Sequence, residues 1–369
     1  MSNSNIMSKP RYGWLDLSRG LLMCLVFLYH SEVFYGKGHL WSWLFEPIFL
    51  SGFFFVSGYL FTSNWEKVTI KAKWLQVVRG IVIPYFLFMA AFILPKLVLL
   101  HYDAKESIMD IFLLRASWFV IAIGVLQLLY AFTLKYCKKV QTFVVVSILY
   151  SLIGYTCVLL YKDLPEWYKF NPVLHSSAMP GCMPACLNLA FLASPFFSLG
   201  LLYRKFEDKL KLNANLILGG AMLAVYVIAV VCDHITIGTS FNYASCSCNN
   251  YLMNMLYFLI AMAALITTSK KIDTIKPLNY IGENTLLFYY FNVLMLRVAG
   301  MVYDKGLALA HLSSVKESLG YGNYIIVTIL AVAGTFPLVW FINKFIPLLT
   351  GRKDAYINIT KKLKLNINW

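Results

Sequence analysis

The sequence predicts an all-α polytopic integral membrane protein with about ten transmembrane helices and with both termini in the cytoplasm. Three observations predict this fold class. Hydrophobic residues form 60% of the 369-residue chain and charged residues 13%, whereas soluble domains contain about 45–50% apolar and about 25% charged residues. The apolar residues cluster in segments close to the roughly 20 residues that a helix needs to cross a bilayer. Basic residues are concentrated in alternate loops between these segments.

The apolar segments give the predicted order of elements. Their ranges are 14–35, 41–62, 75–100, 117–134, 141–161, 185–203, 213–232, 250–269, 278–298 and 324–349. The third and tenth segments are the least sharply bounded, so the count can differ by one. No soluble domain of ordinary size fits between the segments. We therefore predict one transmembrane domain over residues 1–349, followed by a basic cytoplasmic tail over residues 350–369.

The loops determine the predicted orientation. Lys9 and Arg11 precede the first span, and further basic residues follow the second, fourth, sixth, eighth and tenth spans. Because cytoplasmic loops carry an excess of Lys and Arg, we expect the N terminus and the C terminus to lie inside. This pattern also accounts for the formal net charge of +15, so no nucleic-acid partner is expected.

Ionisable side chains in the first span are the strongest functional signal, because such groups are costly inside a membrane. This span contains Asp16, Arg19 and His30. At about 100° per residue, the spacing of eleven places Arg19 and His30 on one stripe of the helix, about 16 Å apart along its axis. We expect both side chains to face the bundle, the cation near the cytoplasm and the imidazole toward the far side. In the alternative interpretation, Arg19 pairs with Asp16 or with lipid phosphates, and His30 is a hydrogen-bonded interior residue.

Three further segments contain residues that suit a binding site. Ser57 and Gly58 in the second span are small residues, which let neighbouring membrane helices approach closely. Lys73 and Arg79 stand at the predicted cytoplasmic mouth of the third span, where a basic cluster can hold a phosphorylated ligand or contact anionic lipid. Both interpretations stay open. Trp118 begins the fourth span at the outer side, which is a common position for interfacial aromatic residues.

The first span resembles a motif of the acyltransferase-3 family of membrane O-acyltransferases. Here Trp14-Leu15-Asp16-Leu17-Ser18-Arg19-Gly20 is followed by Leu28-Tyr29-His30-Ser31, so that ten residues separate Arg19 from His30 as in the family. Four later segments are similar to family motifs and occur in the same order: Phe54 to Tyr59, Arg79 with Pro84-Tyr85, Ser117-Trp118-Phe119, and Ile281-Gly282-Glu283-Asn284-Thr285-Leu286-Leu287.

The chain departs from the family pattern at two places. Gln76 stands where the family often has an Arg upstream of the position matched by Arg79. No His follows the late Tyr-rich stretch, which reads Phe288-Tyr289-Tyr290-Phe291-Asn292. The second departure suggests a sub-branch with a different acceptor.

The resemblance implies a bacterial inner-membrane acyltransferase that moves an acyl group, usually acetyl from acetyl-CoA, to a hydroxyl of a cell-surface glycan or a lipid-linked sugar. A sugar hydroxyl needs a positioned base near neutral pH. The expected catalytic residues are His30, as the base or as the acyl carrier, and Arg19. The expected donor-binding residues, which clamp the CoA phosphates or shape the acyl passage, are Arg19, Arg79, Lys73, Ser57 and Trp118. The expected partners are acyl-CoA, the glycan acceptor and membrane lipid, with no metal.

A transporter of the glycan-export or flippase type is the alternative on the same scaffold. A polar path from Arg19 to His30 would line a passage equally well. The two functions differ in what the loss of the gene does to the glycan. An acyltransferase mutant loses an ester from the glycan, whereas an exporter mutant fails to bring the glycan to the surface.

The chain has eight cysteines, and half of them fall in two loops that are predicted to lie outside. These four are Cys182, Cys186, Cys246 and Cys248. Thiols on an oxidising side of the membrane favour one or two disulfides that tie the two loops together. Four cysteines allow three pairings, and the sequence does not choose among them. A zinc site with four thiolate ligands is the alternative.

Overall fold

The computed structural model describes residues 12–35, 40–99, 104–163, 183–210, 212, 214–243, 246–312, 316 and 318–362. Most of these residues are helical. The helices are α1 (Gly13–Tyr35), α2 (Glu46–Phe61), α3 (Ile70–Val77), α4 (Ile83–Leu99), α5 (Ala104–Phe112), α6 (Trp118–Tyr136), α7 (Val140–Asp163), α8 (Leu187–Leu210), α9 (Leu216–Thr236), α10 (Tyr251–Ile272), α11 (Lys276–Glu283), α12 (Thr285–Leu309), α13 (Gly322–Phe345) and α14 (Lys353–Lys362).

Short non-α features complete the architecture, among them three 3₁₀ turns over Ser42–Leu44, Pro184–Cys186 and Pro347–Thr350. A π-helical turn over Val78–Val82 joins α3 to α4. The strands β1 (Phe241–Asn242) and β2 (Ser247–Cys248) form an antiparallel hairpin, with Phe241 opposite Cys248.

The predicted fold class is confirmed. Among the described residues, nine helices are long and apolar enough to cross a membrane, with α3, the π-turn and α4 acting as one of them. The second predicted span is the exception, because α2 has 16 residues and rises about 24 Å. A 3₁₀ turn over Ser42–Leu44 precedes it, and Pro47 in the first helical turn suits a helix start. The prediction from residue 41 therefore combined two elements.

The orientation of the bundle in the membrane remains a prediction from the loops, and Lys9 and Arg11 lie outside the described residues. We call the end that carries Lys73, Arg204 and Lys270 the inner end, and the opposite end the outer end.

Glycines allow the helices around the site to touch backbone to backbone. A Cβ on Gly58 would collide with the carbonyl oxygen of Phe197 in α8, and one on Gly282 of α11 with the carbonyl oxygen of Asp16 in α1. The close approach expected at Gly58 is thus present. The second contact holds α1 firmly beside α11, and α12 begins two residues after α11 ends.

A network of charged and phenolic groups joins α2, α8 and α10 at the inner end. Glu207 accepts hydrogen bonds from the Tyr59 hydroxyl at 2.5 Å and from Lys270 Nζ at 2.7 Å. Arg204 Nη1 donates to the same Tyr59 oxygen at 2.6 Å, and its Nη2 donates to Tyr12 at 2.9 Å. Because each charge has an opposite partner, this network anchors helices and is separate from the cavity described below.

Candidate active site

A cavity of about 270 Å³ lies in the inner half of the bundle, between α1, α2, α6, α12 and the α3–α4 segment. Its walls are mostly apolar. The polar side chains that line it are Arg19, Ser57, Gln76, Gln127, Thr285 and Tyr289. The side-chain oxygen of Gln127 is buried and has no hydrogen-bond partner among the described residues. The cavity is therefore largely apolar but offers a few hydrogen-bonding groups.

Arg19 lines the inner end of this cavity. Its Nη1 lies 3.4 Å from Asp16 Oδ1, and its Nη2 donates to the hydroxyl of Thr285 at the start of α12. The Thr285 hydroxyl in turn donates to the Gly282 carbonyl at 3.2 Å. The pairing with Asp16 considered as an alternative is present, and it coexists with a position in the cavity wall.

The other predicted donor-binding residues lie at different distances from the cavity. Ser57 lines it. Lys73 lies at its edge, because Nζ donates to the Phe61 carbonyl and to Gln76 Oε1 at 3.2 Å, and both of these residues line the cavity. A neutral amide thus occupies the position at which the family often has an arginine.

Arg79 and Trp118 are not part of the cavity wall. Arg79 lies in the π-turn, and its Nε donates to the Gly351 carbonyl at 3.3 Å. Trp118 is buried behind Phe119, which does line the cavity, with ring centroids 5.9 Å apart. The structure therefore brings Arg19 and Ser57 together in the cavity wall and places Lys73 at the edge of the cavity. Arg79 and Trp118 lie behind the residues that form the wall.

His30 lies at the other end of α1 and does not line the cavity. Its Nδ1 is 2.9 Å from the carbonyl oxygen of Val26. Because a carbonyl oxygen only accepts hydrogen bonds, Nδ1 carries the hydrogen and Nε2 carries the lone pair. Nε2 has no hydrogen-bond partner among the described residues. The imidazole is thus held in a tautomer that can accept a proton, and its ring stacks on Phe34 with centroids 6.0 Å apart.

An aromatic layer from α1, α2, α6 and α12 packs where α1 runs from the cavity toward His30. Phe27, one turn before His30, is fully buried and meets Phe288 edge-on, with centroids 6.4 Å apart. Phe119 contacts Phe54 at 5.2 Å and Tyr289 at 5.5 Å. These contacts pack aromatic rings of α1, α2, α6 and α12 against one another, and Phe27 lies between the cavity-lining Met23 and His30 along α1.

The β1–β2 hairpin closes this layer from the outer side. Tyr243 follows β1, is 2% exposed, and shares a hydrogen bond of 3.0 Å with the Ser51 hydroxyl of α2. Its ring lies against Trp118, with centroids 6.2 Å apart. Burial raises the pKa of the Tyr243 phenol well above its ordinary value, so the hydroxyl stays neutral. Beside it, Asn242 Nδ2 donates to the Tyr29 hydroxyl at 3.4 Å.

The model of the acyltransferase-3 family, described as an acyltransferase domain, matches residues 12–344. The chain belongs to this family. The matched range contains α1 through all but the last residue of α13, with the cavity and His30. No curated protein and no solved structure matches the chain. The protein is thus a multi-pass membrane acyltransferase that transfers groups other than amino-acyl groups, as the resemblance implied.

Two of the segments that resemble family motifs contact each other in the structure. The late motif Ile281–Leu287 meets the first-span motif directly, since Gly282 packs on the Asp16 backbone and Thr285 binds Arg19. In this acyltransferase, segments far apart in sequence therefore build one wall of the cavity.

Several polar residues at the two ends were missed by the sequence analysis. Glu32 is fully buried and accepts hydrogen bonds from the backbone of Trp41 and Ser42 at 3.2 and 3.1 Å. The Arg297 guanidinium lies 5.5 Å from the centroid of the same Phe34 ring that stacks on His30. Both are ionisable groups within predicted spans, and the cost of intramembrane charge would have identified them. The same reasoning, extended to amides, would have identified Gln127.

The cysteine-containing loops meet at the outer end. Cys182 lies outside the described residues. Cys186, Cys246 and Cys248 are buried, and Asn188 Nδ2 lies 3.4 Å from Cys246 Sγ, which joins the start of α8 to the hairpin. The disulfides remain a prediction. Within the part of the chain that the structure describes, no group of three or more His, Cys, Asp or Glu residues could hold a metal ion.

Proposed function

We propose that this acyltransferase moves an acyl group, with acetyl-CoA as donor, to a hydroxyl of a cell-surface glycan or its lipid-linked precursor in a bacterial inner membrane. The observation that carries the proposal is the hydrogen bond from His30 Nδ1 to the Val26 carbonyl. It leaves Nε2 as a proton acceptor on the same helix that places Arg19 in the inner cavity.

The inner cavity suits the thioester arm of the donor. At about 270 Å³ it is smaller than the roughly 300–1,000 Å³ of pockets that enclose a drug-sized ligand. It has room for an acyl group and part of a pantetheine arm, while the nucleotide stays at the inner surface. The unpartnered oxygen of Gln127 can accept a hydrogen bond from an amide N–H of that arm. Arg19 and Lys73 supply positive charge on the side where the phosphates would lie.

The chemistry assigned to His30 is general base catalysis. The acceptor hydroxyl gives its proton to Nε2 as its oxygen bonds to the acyl carbonyl carbon. The carbon–sulfur bond breaks, and the CoA thiolate takes the proton back from the imidazolium. If His30 instead carries the acyl group, Nε2 attacks the thioester carbon and the carbon–sulfur bond breaks, releasing the CoA thiolate. The hydroxyl oxygen then attacks the acyl-imidazolium, the bond to Nε2 breaks, and the hydroxyl proton ends on the thiolate. Both routes need the tautomer with Nδ1 protonated.

The acceptor is assigned to the outer end. Tyr29 packs against His30, Asn242 donates to the Tyr29 hydroxyl, and Arg297 lies over the Phe34 ring that stacks on His30. These hydroxyl, amide and guanidinium groups suit a hydroxyl-rich glycan bound at the membrane surface. Met23 lines the cavity, and His30 lies seven positions later, about 10 Å along the helix. The acyl group therefore reaches His30 only when the layer of Phe27 and Phe119 opens.

The packed layer also favours acyl transfer over glycan export. An exporter would need a polar path for a whole sugar from Arg19 to His30. Large aromatic side chains, among them Phe27 between these two positions, pack in mutual contact there and suit the passage of a small acyl group better.

The test uses protein in nanodiscs, radiolabelled acetyl-CoA and membrane-extracted lipid-linked glycans. His30→Asn is expected to lower transfer at least about 10²-fold, because the base is lost. His311→Asn is the matched control, since His311 is exposed in the turn after α12 and its left-handed backbone tolerates Asn. Transfer that persists in His30→Asn would overturn the role of His30. Absence of turnover in the wild type, together with failure of the glycan to reach the cell surface in a deletion strain, would favour export.

A further inference from the structure

The C-terminal segment after α13 folds back onto the π-turn at the inner end. Gly351 has a left-handed backbone with φ of +67°, and a Cβ added there would lie 2.9 Å from Gly80 Cα. Its carbonyl accepts the hydrogen bond from Arg79. Ala355 and Tyr356 of α14 are buried, and the Tyr356 hydroxyl donates to the Leu348 carbonyl at 3.0 Å. The described part of the predicted tail is therefore seated on the bundle.

This seat brings Arg352 to the rim of the cavity. Arg352 Nη2 donates to Asn284 Oδ1 at 3.0 Å, and that oxygen also accepts from Asn343 Nδ2 at 2.9 Å. Asn284 directly precedes Thr285, which lines the cavity and binds Arg19. The matched family domain ends at residue 344, so Arg352 lies outside it. Its guanidinium binds Asn284, whose neighbour Thr285 lines the cavity.

The cations at this rim differ in how their donors are used. Arg19 is engaged by Asp16 and Thr285, and Lys73 by Phe61 and Gln76. Arg352 is exposed, and it makes no ion pair with a carboxylate among the described residues. A guanidinium has five N–H donors, and the bond to Asn284 uses one of them. Arg352 therefore has the most donors to offer to an anion that projects from the cavity.

We propose that Arg352 binds a phosphate of the acyl-CoA nucleotide and that Arg79 acts indirectly, by holding the tail through Gly351. The inference rests on the proposed function, because it takes acyl-CoA as the donor. It changes the role predicted for Arg79 from a phosphate ligand to a positioning residue, and it makes the tail part of the donor site.

The decisive experiment compares the KM for acetyl-CoA with that for S-acetylpantetheine, a donor without phosphates, in nanodiscs. Arg352→Ala is expected to raise the KM for acetyl-CoA about tenfold, which corresponds to about 1.4 kcal/mol, because a charge-assisted hydrogen bond to a phosphate is lost. The KM for S-acetylpantetheine and both kcat values should stay unchanged. Lys353→Ala is the matched control, since the adjacent Lys353 is also exposed.

A double-mutant cycle separates the two arginines. If Arg79 acts through the tail, Arg79→Ala raises the KM for acetyl-CoA, and Arg79→Ala combined with Arg352→Ala raises it no further. Additive effects would show that Arg79 contacts the donor itself and would overturn its positioning role. An unchanged KM in Arg352→Ala, or an equal rise with both donors, would overturn the phosphate contact while leaving acyl transfer intact. A wild-type protein that turns over neither donor would overturn the proposed function, and this inference with it.

Discussion

The two ends of α1 differ in how far their functional groups are already arranged in the structure. At the inner end, Arg19 lines a cavity with polar partners already aligned. At the outer end, His30 has its tautomer fixed by Val26 but lies among aromatic rings and outside the cavity wall. Under the proposed function, the cavity that receives the donor is preformed, whereas the proposed base, His30, has only its tautomer preformed. If acyl transfer takes place as proposed, opening of the aromatic layer is a required step.

The comparison can be sharpened first at Arg297. We expect Arg297→Gln to lower kcat/KM for the glycan acceptor about tenfold, because it removes a charge-assisted donor at the proposed acceptor end. The KM for acetyl-CoA should not change, since Arg297 lies across Phe34 from His30 and away from the inner cavity. Initial rates at varied acceptor and varied donor measure the two effects separately.

Lys305→Gln is the matched control for this substitution, because Lys305 is an exposed cation on the same helix, α12. A rise of about tenfold in the KM for acetyl-CoA in Arg297→Gln would contradict the assignment of donor and acceptor to opposite ends of α1.

A smaller effect is expected at Tyr243, where the hairpin closes the outer end. Tyr243→Phe removes the hydrogen bond to Ser51 and should lower the free energy of unfolding by about 1 kcal/mol. The pKa of the phenol is raised by burial in the folded protein and is about 10 in the unfolded chain. Its contribution to stability is therefore complete below about pH 10 and is lost above it.

Denaturant unfolding in detergent at pH 8 and at pH 11 measures both effects. The wild type should lose more stability between these pH values than Tyr243→Phe does. Tyr136→Phe is the control, because Tyr136 is 70% exposed. Identical alkaline losses in wild type and Tyr243→Phe would show that the hairpin is not held by this residue.

Much of the fold could be predicted because a lipid bilayer restricts the length, hydropathy and charge of the helices that cross it. Length and hydropathy identified the spans, and the cost of intramembrane charge identified Arg19 and His30. The start of α2 could not be predicted from hydropathy, because Leu44 and Phe45 are as apolar as the helix that follows. There the backbone geometry around Pro47 decides.

The partners within the site were beyond the sequence for a different reason. Thr285 belongs to a segment that resembles a family motif, but nothing local named its partner, because a threonine in a span costs little. Its role comes from meeting Arg19, 266 positions earlier in the chain. Arg79 was identified as a cation at the inner mouth, but its actual partner depends on the left-handed Gly351 resting on Gly80. Such contacts follow from the packing of distant segments, which a single sequence does not specify.

The most direct test of the two-ended site is the binding of CoA to purified protein in nanodiscs, measured by calorimetry for Arg19→Gln and His30→Asn. We predict that Arg19→Gln weakens CoA binding about tenfold or more, while His30→Asn binds CoA as the wild type does and yet fails to transfer the acyl group. Equal loss of CoA binding in both variants, or no loss in Arg19→Gln, would contradict the separation of donor recognition from base catalysis along α1.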